Sequence, residues 1–470
     1  MLHDHRIVLI EPPVSLEEIY GGLAKVGAVS PPLNLLLLAA ILREKGYDPY
    51  IFDCPAQGIG YQEIVKRLTI LQPKFVGLTA MTPHIMQAAK VTRVIKEHLP
   101  QIMILLGGAH ISAVPEQTMD RFHDIDVGFV GEADHSLPEF LDTIKGGGKA
   151  STIKGTISRE EEVLINTGQR IERVELDTLP MYAWDLLEGF PREYKPPLFA
   201  AHHSPATPIL TSRGCPGKCT FCFSGSHTTI STYSAEYTIN MLKHLKKRYS
   251  IREFMIYDDN FVMFRKNLNE LLNRLIEERL ELSWSCNARV DMVNEEMLNL
   301  MAKAGCWQIS YGIETGNQTI LNALHKKITM EQVQKTIELT RKAGIRSVGY
   351  FMIGHFRETL QTIEETIQFA CSLQLDDFRM SFFTPLPGTE ASLVADQFGE
   401  FDHDWSKMNL FSPVFIPRGL SREQLIKGQK RAIQRFFFRP KIVLSYLKTV
   451  RNPLIAFKGA FSLGQYIFKN

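Results

Sequence analysis

The chain reads as an α/β protein: two successive strand–helix series followed by a helical tail. Residues 1–145 alternate short apolar runs with longer helical patterns, and residues 207–400 do so again through six strand–helix units. Between them, Gly146-Gly-Gly148 and prolines at 191, 196, 197, 205 and 208 break both periodicities. Strands that alternate with helices build parallel sheets covered by helices.

The 470 residues leave room for about three domains. The expected divisions are 1–147, a linker with a small hairpin at 148–204, 205–400 and a basic helical region at 401–470. Hydrophobic residues make up 44% and charged residues 22%, as in ordinary globular proteins. The start, Met-Leu-His-Asp-His-Arg, carries no apolar core of a secretory signal, and the longest apolar run, Leu35 to Leu42, is too short to span a bilayer. A cytoplasmic location is expected.

In the first series, Arg6–Glu11, Tyr50–Asp53, Phe75–Thr79, Ile102–Leu106 and Val127–Val130 read as buried strands. Asn34–Lys45, Tyr61–Leu71 and Ile85–His98 read as helices between them. Open sheets of this kind bind ligands beyond the carboxyl ends of their strands. Three loops fall there: Thr79-Ala-Met-Thr82, Gly107-Gly108-Ala109-His110 and Gly131-Glu132-Ala-Asp134. Their glycines would let the backbone approach a flat ligand. Ile153–Ile157 and Val163–Asn166 read as a hairpin within the linker.

In the second series, the strands are Thr207–Ser212, Glu253–Tyr257, Glu281–Asn287, Gln308–Ile313, Ser347–Ile353 and Asp377–Phe383. The first runs into Ser212-Arg-Gly-Cys215-Pro-Gly-Lys-Cys219-Thr-Phe-Cys222, a C-x3-C-x2-C pattern. Three close thiolates suit a [4Fe–4S] cube with one open iron. A zinc site would want a second close ligand pair, yet Cys54, Cys286, Cys306 and Cys371 are isolated and His202-His203 lack ligand spacing. Seven cysteines, an odd number, argue against a disulfide framework.

The cysteine spacing, with Phe221 before the third cysteine, resembles the radical S-adenosylmethionine (SAM) superfamily. Paired with the first series, it resembles the cobalamin (B12)-binding radical SAM family, which includes methyltransferases and magnesium-protoporphyrin cyclase-like enzymes. The resemblance implies a Rossmann-like B12-binding domain, a partial (β/α)6 TIM-type radical SAM barrel and a C-terminal helical tail. It implies that Cys215, Cys219 and Cys222 hold the cluster, whose open iron binds SAM and whose electron releases a 5′-deoxyadenosyl radical.

The strand ends then match one at a time. Asp258, Asp259 and Asn260 stand where the family contacts the SAM amine, and Arg289 offers a guanidinium to the SAM carboxylate. Glu314, in Gly312-Ile-Glu-Thr-Gly316-Asn317, suits ribose or the methionyl group. Ile353 and Gly354 resemble the segment lining adenine, with Phe221 nearby. Pro385-Leu-Pro-Gly388-Thr-Glu390 matches the family's proline–glycine turn. One departure is Gly354-His-Phe-Arg357-Glu358-Thr359, where the family's proline and glycine are absent; Arg357 is expected to face solvent.

B12 domains often carry D-x-H-x-x-G, whose histidine lies below cobalt. Here Asp53 and Gly58 keep their places, but Pro55 replaces the histidine. The expectation is cobalamin bound without a protein histidine below the metal. His84 and His110 are the nearest substitutes by strand order.

From Arg418 to Asn470 the net charge is +11, against −9 for the rest. Ile442, Val443, Tyr446, Leu447 and Val450 fall on one helical face. Such a tail caps the barrel or lies on an anionic membrane; no recognisable nucleic-acid module accompanies it.

The expected activity is a cobalamin-dependent radical SAM methylation of an unactivated carbon in a small-molecule or lipid substrate. A flavodoxin- or ferredoxin-type electron donor would be its partner. An anaerobic oxidative cyclase is the second enzyme reading, and a non-catalytic cobalamin or cluster sensor is the rival from another class.

Overall fold

The computed structural model describes residues 5–20, 27–197, 200–223 and 229–449, without the side chains of Tyr20 and of residues 445–449. The described chain divides into two compact units, fewer than the three domains its length suggests. One comprises Met1–Ile19, Val29–Tyr194 and Asp404–Met408; the other holds the remainder.

The first unit is built on strands β1 (Arg6–Glu11), β2 (Asp48–Asp53), β3 (Phe75–Thr79), β4 (Met103–Gly107) and β5 (Val127–Phe129). They pair in parallel in the order β2-β1-β3-β4-β5. Helices α1 (Leu33–Glu44), α2 (Tyr61–Leu71), α3 (Ile85–His98) and α4 (Ser136–Lys145) follow β1, β2, β3 and β5. In α3 the buried residues are Ile85, Ala88, Val91, Thr92 and Ile95, the three- and four-residue spacing of one helical face. β3 is buried at every position, as expected for a strand covered on both sides. The expected hairpin, β6 (Thr156–Glu160) and β7 (Val163–Asn166), does not stand apart as a linker. It extends this sheet antiparallel from β5, giving seven strands.

The second unit carries six parallel strands in sequence order: β8 (Ala206–Ile209), β9 (Glu253–Ile256), β10 (Ser283–Ala288), β11 (Cys306–Glu314), β12 (Arg346–Ile353) and β13 (Asp377–Phe382). β8 and β13 stand at the two edges, the arrangement of a partial (β/α)6 barrel. The helices between them start on strong caps. Ser234 accepts from Tyr237 N–H, and Asn294 accepts from Met297 N–H. Thr329 and Gln332 form a reciprocal capping box.

At the amino-terminal ends of the strands, Glu253 is fully buried and accepts four hydrogen bonds. The donors are the N–H groups of His202 and His203, the Ser283 hydroxyl and the Trp307 indole. This carboxylate ties the incoming chain to β9, β10 and β11.

The tail begins with α5 (Arg422–Phe437), capped by Ser421 and Gln424, followed by α6 (Pro440–Thr449). Gln429 donates to Met380 O, and Arg439 donates to the Cys371 and Leu373 carbonyls while lying 4.0 Å from the Phe436 ring centre. This first part is therefore packed on the barrel. Ile442 is buried whereas Val443 is 43% exposed, so these two do not share one apolar face. The side chains of Tyr446 and Leu447, and Val450 onward with Phe457, Phe461, Tyr466 and Phe468, lie outside the described residues. Among the described residues no helix is long and apolar enough to cross a membrane.

Candidate active site

The cysteine loop leaves β8 at its carboxyl end, and Asp258, just past β9, aims it. The buried Asp258 carboxylate accepts from Thr211 N–H (2.7 Å), Thr211 Oγ1 (2.5 Å) and Ser212 Oγ (2.7 Å). Burial pushes its carboxyl up to about 6, against the lowering effect of those donors. Asp258 is thus committed to holding the loop, while its neighbour Asp259 is exposed and acts electrostatically on Cys215. Asn260 is buried and donates to Met292 Sδ at 2.9 Å.

Cys215, Cys219 and Cys222 are all free thiols of intermediate exposure. Burial raises the Cys215 and Cys219 thiols, and for Cys219 the nearby Lys326 and Arg289 cations act in the opposite direction. Gly217 N–H points at Cys215 Sγ, 3.4 Å away. A Cβ on Gly217 would lie 3.3 Å from Cys215 Sγ and 4.0 Å from Cys219 Sγ, so glycine keeps the space between two thiols clear. Among the described residues, no group of three His, Cys, Asp or Glu side chains converges to hold one metal ion. A cube does not need that convergence, because each thiolate holds a different iron. The donor set therefore fits a [4Fe–4S] cluster with three protein ligands.

The loop backbone is clamped on both sides of Thr220. Its N–H donates to Leu324 O (3.2 Å), and its carbonyl accepts from Ala391 N–H (2.8 Å). Cys222 N–H closes a turn on Cys219 O. Phe221 packs against a cluster containing Ile320, Leu324, Phe383 and Phe415.

Arg289, beyond β10, makes a bidentate pair with Asp291 and donates through Nη2 to Lys326 O, leaving Nη1 3.9 Å from Cys219 Sγ. Glu314 ends β11 and is paired with Lys326. In the same motif, Gly316 N–H donates to Thr366 Oγ1 and Asn317 caps a helix, so these residues serve packing. Ile353 is fully buried. Gly354 and His355 N–H both donate to Glu358 Oε2, so a carboxylate shapes the turn where proline is missing. Arg357 is exposed with its guanidinium 5.7 Å from the Phe398 ring centre. Lys326, Asp291, Thr211 and Ser212 were not singled out from sequence; a lysine beside an exposed lysine carries no mark of burial.

The first unit presents its own loops. The strand order reverses between β1 and β3, and a crevice at such a switch point is the usual ligand site. Thr79 Oγ1 accepts from Asn34 Nδ2 (2.9 Å), and Thr82 Oγ1 bonds His110 Nδ1 (3.1 Å). Gly108 has φ +97°, and a Cβ there would lie 2.7 Å from Ala80 O. Gly107 and Ala109 flank it, and Ser112 Oγ joins the next loop by accepting from Gly131 N–H. Glu132 is exposed. Gly108 thus lets this loop pack directly on Ala80 at the switch point, where sheets of this kind bind their ligands.

Asp53 and Gly58 do local work. Asp53 accepts from Ala56 N–H at the start of a short turn of helix, Cys54–Gln57, and Gly58 closes it in the left-handed region. His84 and His110 are both buried. The His110 ring lies edge-on to Trp405 at 4.4 Å, and burial pushes it down to about 4. Trp405 also lay beyond sequence reasoning, because it is remote in the chain.

Comparison with known proteins places both units. Residues 209–370 match the radical SAM superfamily, and residues 20–141 match the B12 binding domain. An uncharacterized methyltransferase of Pyrococcus horikoshii is 30% identical over 446 residues, 93% of this chain and 94% of that protein. The anaerobic magnesium-protoporphyrin IX monomethyl ester cyclase of Cereibacter sphaeroides is 27% identical, over 92% of this chain and 70% of its own. The fold is shared with the cobalamin-dependent S-adenosylmethionine radical enzyme OxsB with aqua-cobalamin and S-adenosylmethionine bound (TM-score 0.77, 17% identity, 99% of this chain and 71% of that one). It is also shared with the radical S-adenosylmethionine methyltransferase TsrM of Kitasatospora setae (TM-score 0.69, 18% identity, 84% and 75%). The chain belongs to the B12-binding radical SAM family, enzymes whose cofactors are a [4Fe–4S] cluster, SAM and cobalamin.

Proposed function

We propose that this enzyme transfers a methyl group to an unactivated carbon of a small-molecule or lipid substrate. The observation that carries the reading is the cysteine loop: three free thiols, held by Asp258 and clamped at Thr220, beside Arg289 and the Glu314–Lys326 pair. When bound, the cluster supplies the electron that cleaves SAM, and cobalamin carries the methyl group.

The chain's own residues divide the work. Cys215, Cys219 and Cys222 ligate the cluster. Asp258 positions the loop rather than the substrate, because its carboxylate oxygens are already engaged by Thr211 and Ser212. Asp259, exposed next to it, is the carboxylate assigned to the SAM ammonium. Arg289, whose Nη1 lies 3.9 Å from Cys219 Sγ, offers its guanidinium to the SAM carboxylate, while the Lys326 ammonium is engaged by Glu314. Phe221 is assigned to the adenine side, with the buried Ile353 and Gly354 shaping the strand end behind it. In the first unit, the 79–82, 107–110 and 131–132 loops cradle cobalamin. The buried His84 and His110, and Pro55, support a lower face without imidazole. A flavodoxin- or ferredoxin-type protein supplies the electrons.

The methyltransferase of Pyrococcus horikoshii supports methylation, and the cyclase of Cereibacter sphaeroides supports oxidative cyclisation as the second reading. Product counting after anaerobic reconstitution with cluster, cobalamin, SAM and reductant decides between them. Methylation requires S-adenosylhomocysteine and 5′-deoxyadenosine in equal amounts. 5′-Deoxyadenosine alone indicates cyclisation, and neither product, with candidate substrates supplied, favours a sensor.

A further inference from the structure

Lys326 brings a buried ammonium to the cysteine loop. Its Nζ lies 2.6 Å from Glu314 Oε1, and the two side chains are only 10% and 9% exposed. Glu314 has φ +72°, and the pairing of β11 with β12 skips a residue there: Gly312 faces Tyr350 and Glu314 faces Phe351. Such a bulge re-aims a side chain, and a left-handed glutamate costs backbone energy that its surroundings must hold. The surroundings are specific. A Cβ on Gly312 would fall 2.5 Å from Glu314 Oε1 and 2.8 Å from Lys326 Nζ, so the pair occupies space that only glycine leaves.

The same short segment meets the cysteine loop at three points. Leu324 O accepts Thr220 N–H, Lys326 O accepts Arg289 Nη2, and the Lys326 ammonium lies 6.0 Å from the Phe221 ring centre. Arg289, held by the Lys326 carbonyl, brings Nη1 to 3.9 Å from Cys219 Sγ, so this segment reaches the second cysteine. A buried ion pair is a poor device for stability alone, because desolvating both charges offsets their attraction. Beside a metal cluster it has another use. The reduction potential of an iron–sulfur cluster follows the charge and hydrogen bonding around it, and a nearby cation favours the reduced, more negative state.

We propose that Lys326 is a positioning residue of the cluster site: it holds the bulged Glu314 and cancels that carboxylate's charge at the cysteine loop, so that neither charge alone shifts the cluster's reduction potential. The inference rests on the radical-enzyme reading and deepens it. Charge balance gives a signature that packing does not. Removing the cation and removing the anion must move the potential in opposite directions.

The test uses the full chain, reconstituted anaerobically with iron and sulfide and without SAM. Midpoint potentials are read by redox titration followed by electron paramagnetic resonance, at about pH 8.5, where a freed carboxylate ionises. Lys326→Met is expected to shift the potential negative by about 59 mV, a tenfold change in a one-electron equilibrium. Glu314→Gln is expected to shift it positive by a similar amount, and the double variant to return close to wild type. Should Lys326→Met fail to fold, the positive shift of the near-isosteric Glu314→Gln carries the test. Shifts of the same sign, or none in a chain that holds its cluster, overturn the proposal. A wild-type chain that assembles no cluster, judged by iron content and absorbance, overturns the radical-enzyme reading and this inference with it.

Discussion

Glu11 and Asp53 face each other across the parallel pair β1 and β2, at the carboxyl ends of both strands. Burial, with the Asp53 charge beside it, pushes the Glu11 carboxyl up to about 8, and burial pushes Asp53 up to about 6. Both therefore bind protons more tightly folded than unfolded. Their contribution to stability is complete below the ordinary carboxyl range and is lost as pH rises toward 8. Thermal unfolding followed by circular dichroism should show a lower Tm at about pH 8 than at about pH 5.5. Glu11→Gln should remove most of that slope and stabilise the protein at about pH 8 by on the order of 2 kcal/mol.

Asp258→Asn tests the aiming of the cysteine loop. The amide keeps the shape of the carboxylate but cannot accept from Thr211 N–H, Thr211 Oγ1 and Ser212 Oγ together as strongly. A loss of about 1–3 kcal/mol of local stability is expected. Iron bound per chain after reconstitution should fall while far-ultraviolet circular dichroism is unchanged.

Glu253 offers a contrast, because it lies at the opposite end of the strands from the cysteines. Glu253→Ala leaves the His202 and His203 N–H groups, Ser283 and Trp307 without their common acceptor. Denaturant unfolding should show a loss of about 3 kcal/mol. In the protein that remains folded, cluster content per chain should be unaffected.

Phe438, Val443 and Leu444 are exposed apolar side chains in a stretch that also carries Arg435, Arg439 and Lys441. Flotation with vesicles rich in anionic lipid should carry the intact chain, and the triple serine variant at 438, 443 and 444 should bind at least several-fold less. Equal flotation of both would remove these residues from any membrane contact.

The strands were readable because parallel strands buried on both faces are continuous apolar runs, as Phe75–Thr79 shows. The three cysteines were readable because their spacing is itself the ligand set. Neighbouring like charges were not. Asp258 and Asp259 are indistinguishable in sequence, yet one is buried under the loop and the other faces out. Lys326 and Lys327 differ in the same way: Glu314, re-aimed by the bulge that ends the preceding strand, pairs with the buried Lys326 while Lys327 is exposed. Replacing the family's proline and glycine with Phe356 and Arg357 removed a turn signal, but Glu358 rebuilds the turn through its side chain, a solution that local propensity does not announce. Ile442 and Val443 were placed on one face by helical spacing, and packing against the barrel separated them.

Thr220 is fastened through both its N–H and its carbonyl to segments that belong to the barrel. The path between the second and third cysteines is therefore set by main-chain bonds to Leu324 and Ala391. A change that moves either segment would displace the thiols without touching a cysteine, so cluster-assembly defects can arise from positions more than a hundred residues away in the chain.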